Sequence, residues 1–221
     1  FTDIASSLEP LKAAQKHLAR WMRPERRKAS MPFALFGAKA RIEYQPLGVV
    51  GVISPWNFPI QLTFSPLAGI LAAGNRVMIK PSEFTPQTSA LMAEAFAQQF
   101  DATEIAVVQG GPEAGAAFAG LPFDHLLFTG ATNVARHVMR AAADNLVPVT
   151  LELGGKSPVV LSDSAKLEQA TRRLMMGKTL NAGQICLAPD YVMVPEGQVD
   201  AFVEASTAAV GRLYPTLLDN P

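Results

Sequence analysis

A single cysteine, Cys186, occurs among the 221 residues, in the segment Asn181-Ala-Gly-Gln-Ile-Cys-Leu-Ala-Pro189. That segment reads as a loop between a helix and a strand. A lone thiol is more often a small buried hydrophobe than a nucleophile. Gly183 and Pro189 mark exposed, irregular backbone, however, and functional side chains gather on such loops. Nearby amides or a cofactor's positive charge would lower a thiol's pKa from its usual value of about 8.5. Glu152, in Val149-Thr-Leu-Glu-Leu-Gly-Gly155, ends an otherwise apolar strand just before a Gly-Gly break. It could simply point at solvent. Yet ligand sites form at the carboxyl ends of parallel strands, and partly apolar surroundings would raise its pKa towards that of a general base.

Asn57 stands in Ser54-Pro-Trp-Asn-Phe-Pro59, with a proline fixing the backbone on either side. It reads either as a turn residue or as a rigid amide donor for a developing oxyanion. Lys80-Pro-Ser-Glu83 follows a strand. Its two charges form either a surface ion pair worth little or a grip on ribose hydroxyls. Phe128-Thr-Gly-Ala-Thr-Asn-Val134 joins a strand to a helix, and a glycine opening a helix N-terminus is a natural phosphate cradle. The GxGxxG fingerprint is absent, so a standard dinucleotide fold is not supported.

Positioning these groups requires a regular frame. Residues 3–22 predict an amphipathic helix with Ile4, Leu8, Leu11, Leu18 and Trp21 as its apolar positions, kinked or divided at Pro10. Residues 29–47 read as irregular, strand-like only over 40–44. Strands are then predicted at 49–53, 76–80, 105–109, 125–129 and 148–153, with helices at 60–73, 86–100, 112–119 and 133–143 between them. This alternation implies a parallel sheet covered on both faces, a doubly wound α/β domain. Gly154-Gly155 reads as a hinge. Beyond it come strands at 158–161 and 191–194 and helices at 166–180 and 199–213. Two strands are few for an independent sheet, so this part either completes the first sheet or stops in mid-domain. The end at Asp219-Asn220-Pro221 carries no closing element, which favours the second option.

Lysine plus arginine and aspartate plus glutamate are balanced, 19 against 19, which argues against a nucleic-acid or membrane-surface binder. The basic stretch Arg20 to Lys28 reads as a solvated edge after a helix. With 49% hydrophobic residues the chain can build a sizeable core. One cysteine excludes an internal disulfide. His17, His125 and His137 lack metal-ligand spacing, so no metal is expected. No apolar run is long enough to span a bilayer, and the expected compartment is the cytoplasm.

Taken in order, Pro55-Trp-Asn-Phe-Pro59, Lys80-Pro-Ser-Glu83, Phe128-Thr-Gly130, Leu151-Glu-Leu-Gly-Gly-Lys-Ser-Pro158 and Gly183-Gln-Ile-Cys186 resemble the aldehyde dehydrogenase superfamily. The cysteine loop and the short N-terminal region look most like its class 3 branch, of the coniferyl-aldehyde-oxidising type. The resemblance implies residues 1–153 as an NAD(P)-binding domain and residues 154–221 as the incomplete start of an α/β catalytic domain. It makes Cys186 the nucleophile that forms a thiohemiacetal and then a thioester, Asn57 the oxyanion donor and Glu152 the base for hydrolysis. Ser54, Trp56, Lys80, Ser82, Glu83, Gly130, Ala131, Val134, Leu153 and Gly154 would contact the cofactor. Glu83 favours NAD, because a carboxylate repels the 2′-phosphate of NADP. Phe58, Leu62, Ile185 and Leu187 would line the substrate channel.

The phosphate turn departs from the family pattern at Ala131 and Ala135, where serine and glycine are usual. The implied reaction is oxidation of an aromatic or aliphatic aldehyde to its acid by a homodimer when full length, and this segment alone is expected to be inactive. A CoA-acylating or phosphorylating relative and a non-catalytic structural or binding homologue stay open as alternatives. Glu152 speaks against the first, and the joint presence of Cys186, Glu152 and Asn57 against the second.

Overall fold

A computed structural model describes residues 2–216, so the expected ending at 219–221 lies outside the described residues. The chain divides into two compact units, Phe1–Glu152 and Leu153–Pro221. The first unit runs α1 (Thr2–Trp21), β1 (Glu25–Arg27), β2 (Ala40–Ile42), β3 (Val49–Ile53), α2 (Gln61–Ala72), β4 (Arg76–Lys80), α3 (Pro86–Gln99), β5 (Ile105–Val107), α4 (Pro112–Ala119), β6 (His125–Thr129), α5 (Thr132–Ala143) and β7 (Val149–Glu152).

Strands β3 to β7 pair in parallel in the order β5-β4-β3-β6-β7. Their residues are mostly β-branched or leucine, as suits strands buried on both faces. Val50, Val52, Val77, Ile79 and Ile105 pack with Leu67 of α2 and with Met92 and Phe96 of α3. Phe64 stacks on Phe96, with ring centres 5.2 Å apart. Each such side chain, fully buried, contributes about 1.5–3 kcal/mol. On the opposite face, a Cβ on Gly51 would lie 2.6 Å from the Phe123 ring. The missing side chain is what lets Phe123 sit flush with β3, and Phe118 of α4 packs on it at 4.9 Å. Helix α5 buries Ala135, Val138 and Ala142.

Numbered from β3, this strand order is 3-2-1-4-5, one strand short of the 3-2-1-4-5-6 order of the standard dinucleotide fold. The doubly wound parallel sheet expected from the sequence is therefore present without the GxGxxG fingerprint. At the amino ends of the strands, the Asn75 side-chain oxygen accepts hydrogen bonds from the amides of Leu47 (2.6 Å) and Gly48 (3.0 Å). The Asp124 carboxylate accepts one from Val49 (2.7 Å).

Division at Pro10 does not occur, and α1 is a single helix. It packs on α2. Its buried positions are Ser7 and Ala14, whereas Ile4, Leu8 and Trp21 are exposed. Part of the basic stretch is a strand: β1 and β2 form an antiparallel ribbon that pairs Glu25 with Ile42 and Arg27 with Ala40. Arg26 and Arg27 are exposed on it.

The second unit contains β8 (Ser157–Val160), α6 (Leu167–Thr179), β9 (Pro189–Met193) and α7 (Val199–Leu213). Strands β8 and β9 pair in parallel as a two-stranded sheet of their own. They do not complete the first sheet. Helix α6 packs on α7, with Thr171, Leu174 and Ala209 buried.

Candidate active site

The register brings four strand ends of the first unit to one level. Ile53 stands opposite Lys80 on one side and Phe128 on the other, and Thr129 stands opposite Glu152. After β3 the chain builds β4 and β5 to one side, then crosses to build β6 and β7 on the other. The carboxyl ends of β3 and β6 therefore flank the switch point, where open α/β sheets bind their ligands. From these two ends leave the segment 54–60 and the turn Gly130-Ala131.

Segment 54–60 is tied down at both of its ends. The Ser54 amide donates to the Lys80 carbonyl at 3.2 Å. The buried Thr63 hydroxyl lies 2.8 Å from the Ser54 hydroxyl and 2.7 Å from the Pro59 carbonyl. The Phe58 carbonyl accepts from Leu62 at 2.9 Å. Between these ties Trp56 is exposed, while Asn57, Phe58 and Leu62 are half-buried. The segment thus presents the Asn57 carboxamide from a fixed backbone, which is what an oxyanion donor requires.

Lys80 closes β4 with its side chain 4% exposed, and its ammonium donates to Glu83 at 2.7 Å. The ion pair that the sequence left open forms, with Lys80 buried and Glu83 exposed. Burial of Glu83 works to raise its pKa, but the Lys80 hydrogen bond, its own backbone amide and the Lys80 charge outweigh it and hold the carboxyl below the usual glutamate value. Ser82 is buried, and its hydroxyl accepts from the Phe84 amide at 3.2 Å. It therefore shapes the turn that carries Glu83.

Gly130 donates its amide to the Glu152 carbonyl at 3.0 Å. A Cβ here would stand 2.6 Å from the buried Phe128 ring, so glycine is required for space. Ala131 is the N-cap of α5 and offers no side-chain capping bond. The Ala135 amide donates to the Ala131 carbonyl at 3.0 Å, which leaves Thr132, Asn133 and Val134 as the amides that helix geometry does not pair internally. Val134 is exposed. Glu152 is exposed too.

In the second unit, α6 ends in a 3-10 turn, Leu180–Gly183, where Asn181 (φ 49°), Ala182 (φ 54°) and Gly183 (φ 77°) are left-handed in succession. Asparagine and glycine accept this readily, whereas alanine carries strain of about 1 kcal/mol or more. A hydrogen bond from Ala188 to Ile185 (3.0 Å) closes the next turn and puts Cys186 and Leu187 at its two central positions. Both are exposed, and Cys186 is a free thiol. A Cβ on Gly155 would meet the Cys186 carbonyl at 3.1 Å, so Gly155 lets the two segments approach closely. Lys156 and Asp190 bridge the same segments at 3.0 Å. Ile185 is half-buried, Leu153 half-buried and Gly154 exposed.

The frame therefore gathers Ser54, Trp56, Asn57, Lys80, Glu83, Gly130 and Glu152 at one edge of the first sheet and places Cys186 in the second unit. Sequence reasoning missed Asp3, whose carboxylate accepts from the amides of Ile60 (3.1 Å) and Gln61 (2.7 Å). No spacing rule links positions so far apart. Among the described residues, no group of three His, Cys, Asp or Glu side chains could hold a metal, and no helix is long and apolar enough to cross a membrane.

A five-stranded parallel sheet with chemistry-bearing loops at its switch point defines a doubly wound α/β protein. Residues 2–216 match the model of the aldehyde dehydrogenase family, and the chain belongs to that family. It is 63% identical over 219 residues to the coniferyl aldehyde dehydrogenase of a Pseudomonas species (strain HR199), covering 99% of this chain and 45% of that protein. The substrate-bound structure of AldH from Staphylococcus aureus superposes with a TM-score of 0.92 at 41% identity, covering 99% of this chain and 47% of that one. An aldehyde dehydrogenase from Mycobacterium tuberculosis complexed with NAD+ superposes with a TM-score of 0.81 at 33% identity, covering 93% and 42%. The chain thus spans about half the length of the relatives it matches.

Proposed function

We propose that this chain contributes the nucleotide-binding sheet and the nucleophile loop of an NAD-dependent dehydrogenase that oxidises aldehydes, aromatic ones of the coniferyl type foremost, to carboxylic acids. The observation that carries this reading is the convergence of Asn57, Lys80, Glu83, Gly130 and Glu152 at the carboxyl edge of a 3-2-1-4-5 sheet. Identity of 63% to a coniferyl aldehyde dehydrogenase supports the substrate class. The donor set suits a dinucleotide. Glu83, held ionised by Lys80, accepts hydrogen bonds from the hydroxyls of the adenosine ribose. Ser82 shapes that turn, and the first amides of α5, beside Gly130, Ala131 and Val134, face phosphate charge. Ser54, Trp56, Leu153 and Gly154 complete the cofactor contacts. Glu83 favours NAD over NADP.

Cys186, as thiolate, attacks the aldehyde carbon to form a thiohemiacetal. The Asn57 side-chain amide and the Cys186 backbone amide hold the oxyanion. When bound, the nicotinamide supplies the hydride acceptor that converts this adduct to a thioester. Glu152 takes a proton from the water that hydrolyses the thioester, which frees Cys186. Phe58, Leu62, Ile185 and Leu187 line the aldehyde's path. The cytoplasm, a homodimer and an inactive 221-residue segment belong to the same proposal. Cys186→Ala in protein of the relatives' full length tests it: NAD reduction with coniferyl aldehyde is expected to vanish, and turnover near the unmodified rate would overturn it. Acid rather than acyl-CoA as product separates this reading from a CoA-acylating relative.

A further inference from the structure

We propose that Asp3 is a positioning residue for the oxyanion donor, a carboxylate clamp that holds the Asn57 segment in place from another helix. The inference rests on the reading of Asn57 as that donor. A helix leaves its first amides without internal partners, and at α2 the N-cap residue is Ile60, which has no side-chain acceptor. The amides near this end can be accounted for one by one. Leu62 donates to the Phe58 carbonyl (2.9 Å), and Thr63 and Phe64 both donate to the Ile60 carbonyl (3.1 and 2.9 Å). Ile60 and Gln61 remain, and the two oxygens of Asp3 take them at 3.1 and 2.7 Å.

Both bonds are charge-assisted and therefore stronger than neutral ones, and a carboxylate at a helix N-terminus is also favoured by the helix dipole. Asp3 is itself held in the first turn of α1, where the Ser7 hydroxyl donates to its carbonyl at 2.7 Å. Only Phe58 and Pro59 separate Asn57 from the clamped amides. The ring of Pro59 fixes φ there, so a shift at Ile60 passes back along stiff backbone to the Asn57 carboxamide. The other ties on the segment, from Thr63, Leu62 and Lys80, lie within it or beside it. Asp3 ties it to α1.

A double-mutant cycle in the full-length enzyme tests the clamp, with kcat, KM and melting temperature measured for Asp3→Ala, Asn57→Ala and the pair. Asn57→Ala is expected to lower kcat by roughly 100- to 1,000-fold. Asp3→Ala is expected to lower it by about 10-fold, since misplacement remote from the chemistry is costly, with the KM for NAD unchanged. In the Asn57→Ala background, Asp3→Ala should cost less than about 2-fold, because the group it positions is gone. Asp3→Asn, which keeps one oxygen acceptor, should recover part of the rate; it carries the same cycle if Asp3→Ala does not fold. A full 10-fold loss that persists without Asn57 would show a merely structural role and overturn the inference alone. Unchanged kcat in Asn57→Ala would overturn the oxyanion reading and the inference with it.

Discussion

Glu83→Ala removes the carboxylate from a lysine whose side chain is 4% exposed. Breaking a buried pair by deleting one partner costs about 3–5 kcal/mol, because the other charge is left uncompensated. Glu83 is itself 32% exposed, so water can reach part of the vacated space, and about 2 kcal/mol is the expected loss. For a folding unit of this size that lowers the melting temperature by about 4–8 °C. Lys80→Met with Glu83→Ala removes both charges and should restore most of the loss. The folded-state pKa of Glu83 lies below its ordinary value. Its contribution is thus complete above the unfolded pKa of about 4.3 and fades as pH falls through the folded value. The gap between Glu83→Ala and the parent should be constant near neutral pH and narrow under acid conditions. Calorimetric melts of the three proteins across pH are the assay. A Glu83→Ala shift below about 1 °C, or a double variant no better than the single, would show that Lys80 is not held in the way its burial implies.

Gly130→Ala drives a Cβ into the Phe128 ring, 2.6 Å away, and should destabilise by about 1–3 kcal/mol while weakening NAD binding, both readable by calorimetry. Ala131→Ser gives α5 the capping hydroxyl it lacks and should add about 1 kcal/mol, with a lower Kd for NAD by titration. Ala182→Gly relieves a left-handed alanine and should raise the denaturation midpoint by up to about 1 kcal/mol equivalent. An unchanged or lower midpoint would refute the strain.

The strands of the parallel sheet were legible because buried parallel strands must be apolar along their whole length, as Val49–Ile53 and Arg76–Lys80 are but for their ends. Their order was not legible, since β3 and β4 are chemically interchangeable neighbours for β6. Strand β2 fell within the stretch read as strand-like, but its partner β1 escaped notice because Glu25-Arg26-Arg27 has no buried face to read. At the site, Asn57, Lys80 and Gly130 stood out because prolines, charge or glycine interrupt an apolar pattern. The burial of Lys80, the left-handed run at Asn181 and Ala182, and the reach of Asp3 to α2 depend on tertiary neighbours. An aspartate in a first helical turn looks local from its sequence alone.

The two edges of the first sheet are fastened by different residues. Asn75 and Asp124 secure strand entry at Leu47, Gly48 and Val49, while every proposed ligand contact of the first unit leaves from strand exits. Durability and specificity are therefore encoded in separable stretches of text. A protein engineer can reinforce the entry side without retuning the catalyst, and lineages can diversify the exit loops, and with them the range of ligands, without renegotiating the scaffold.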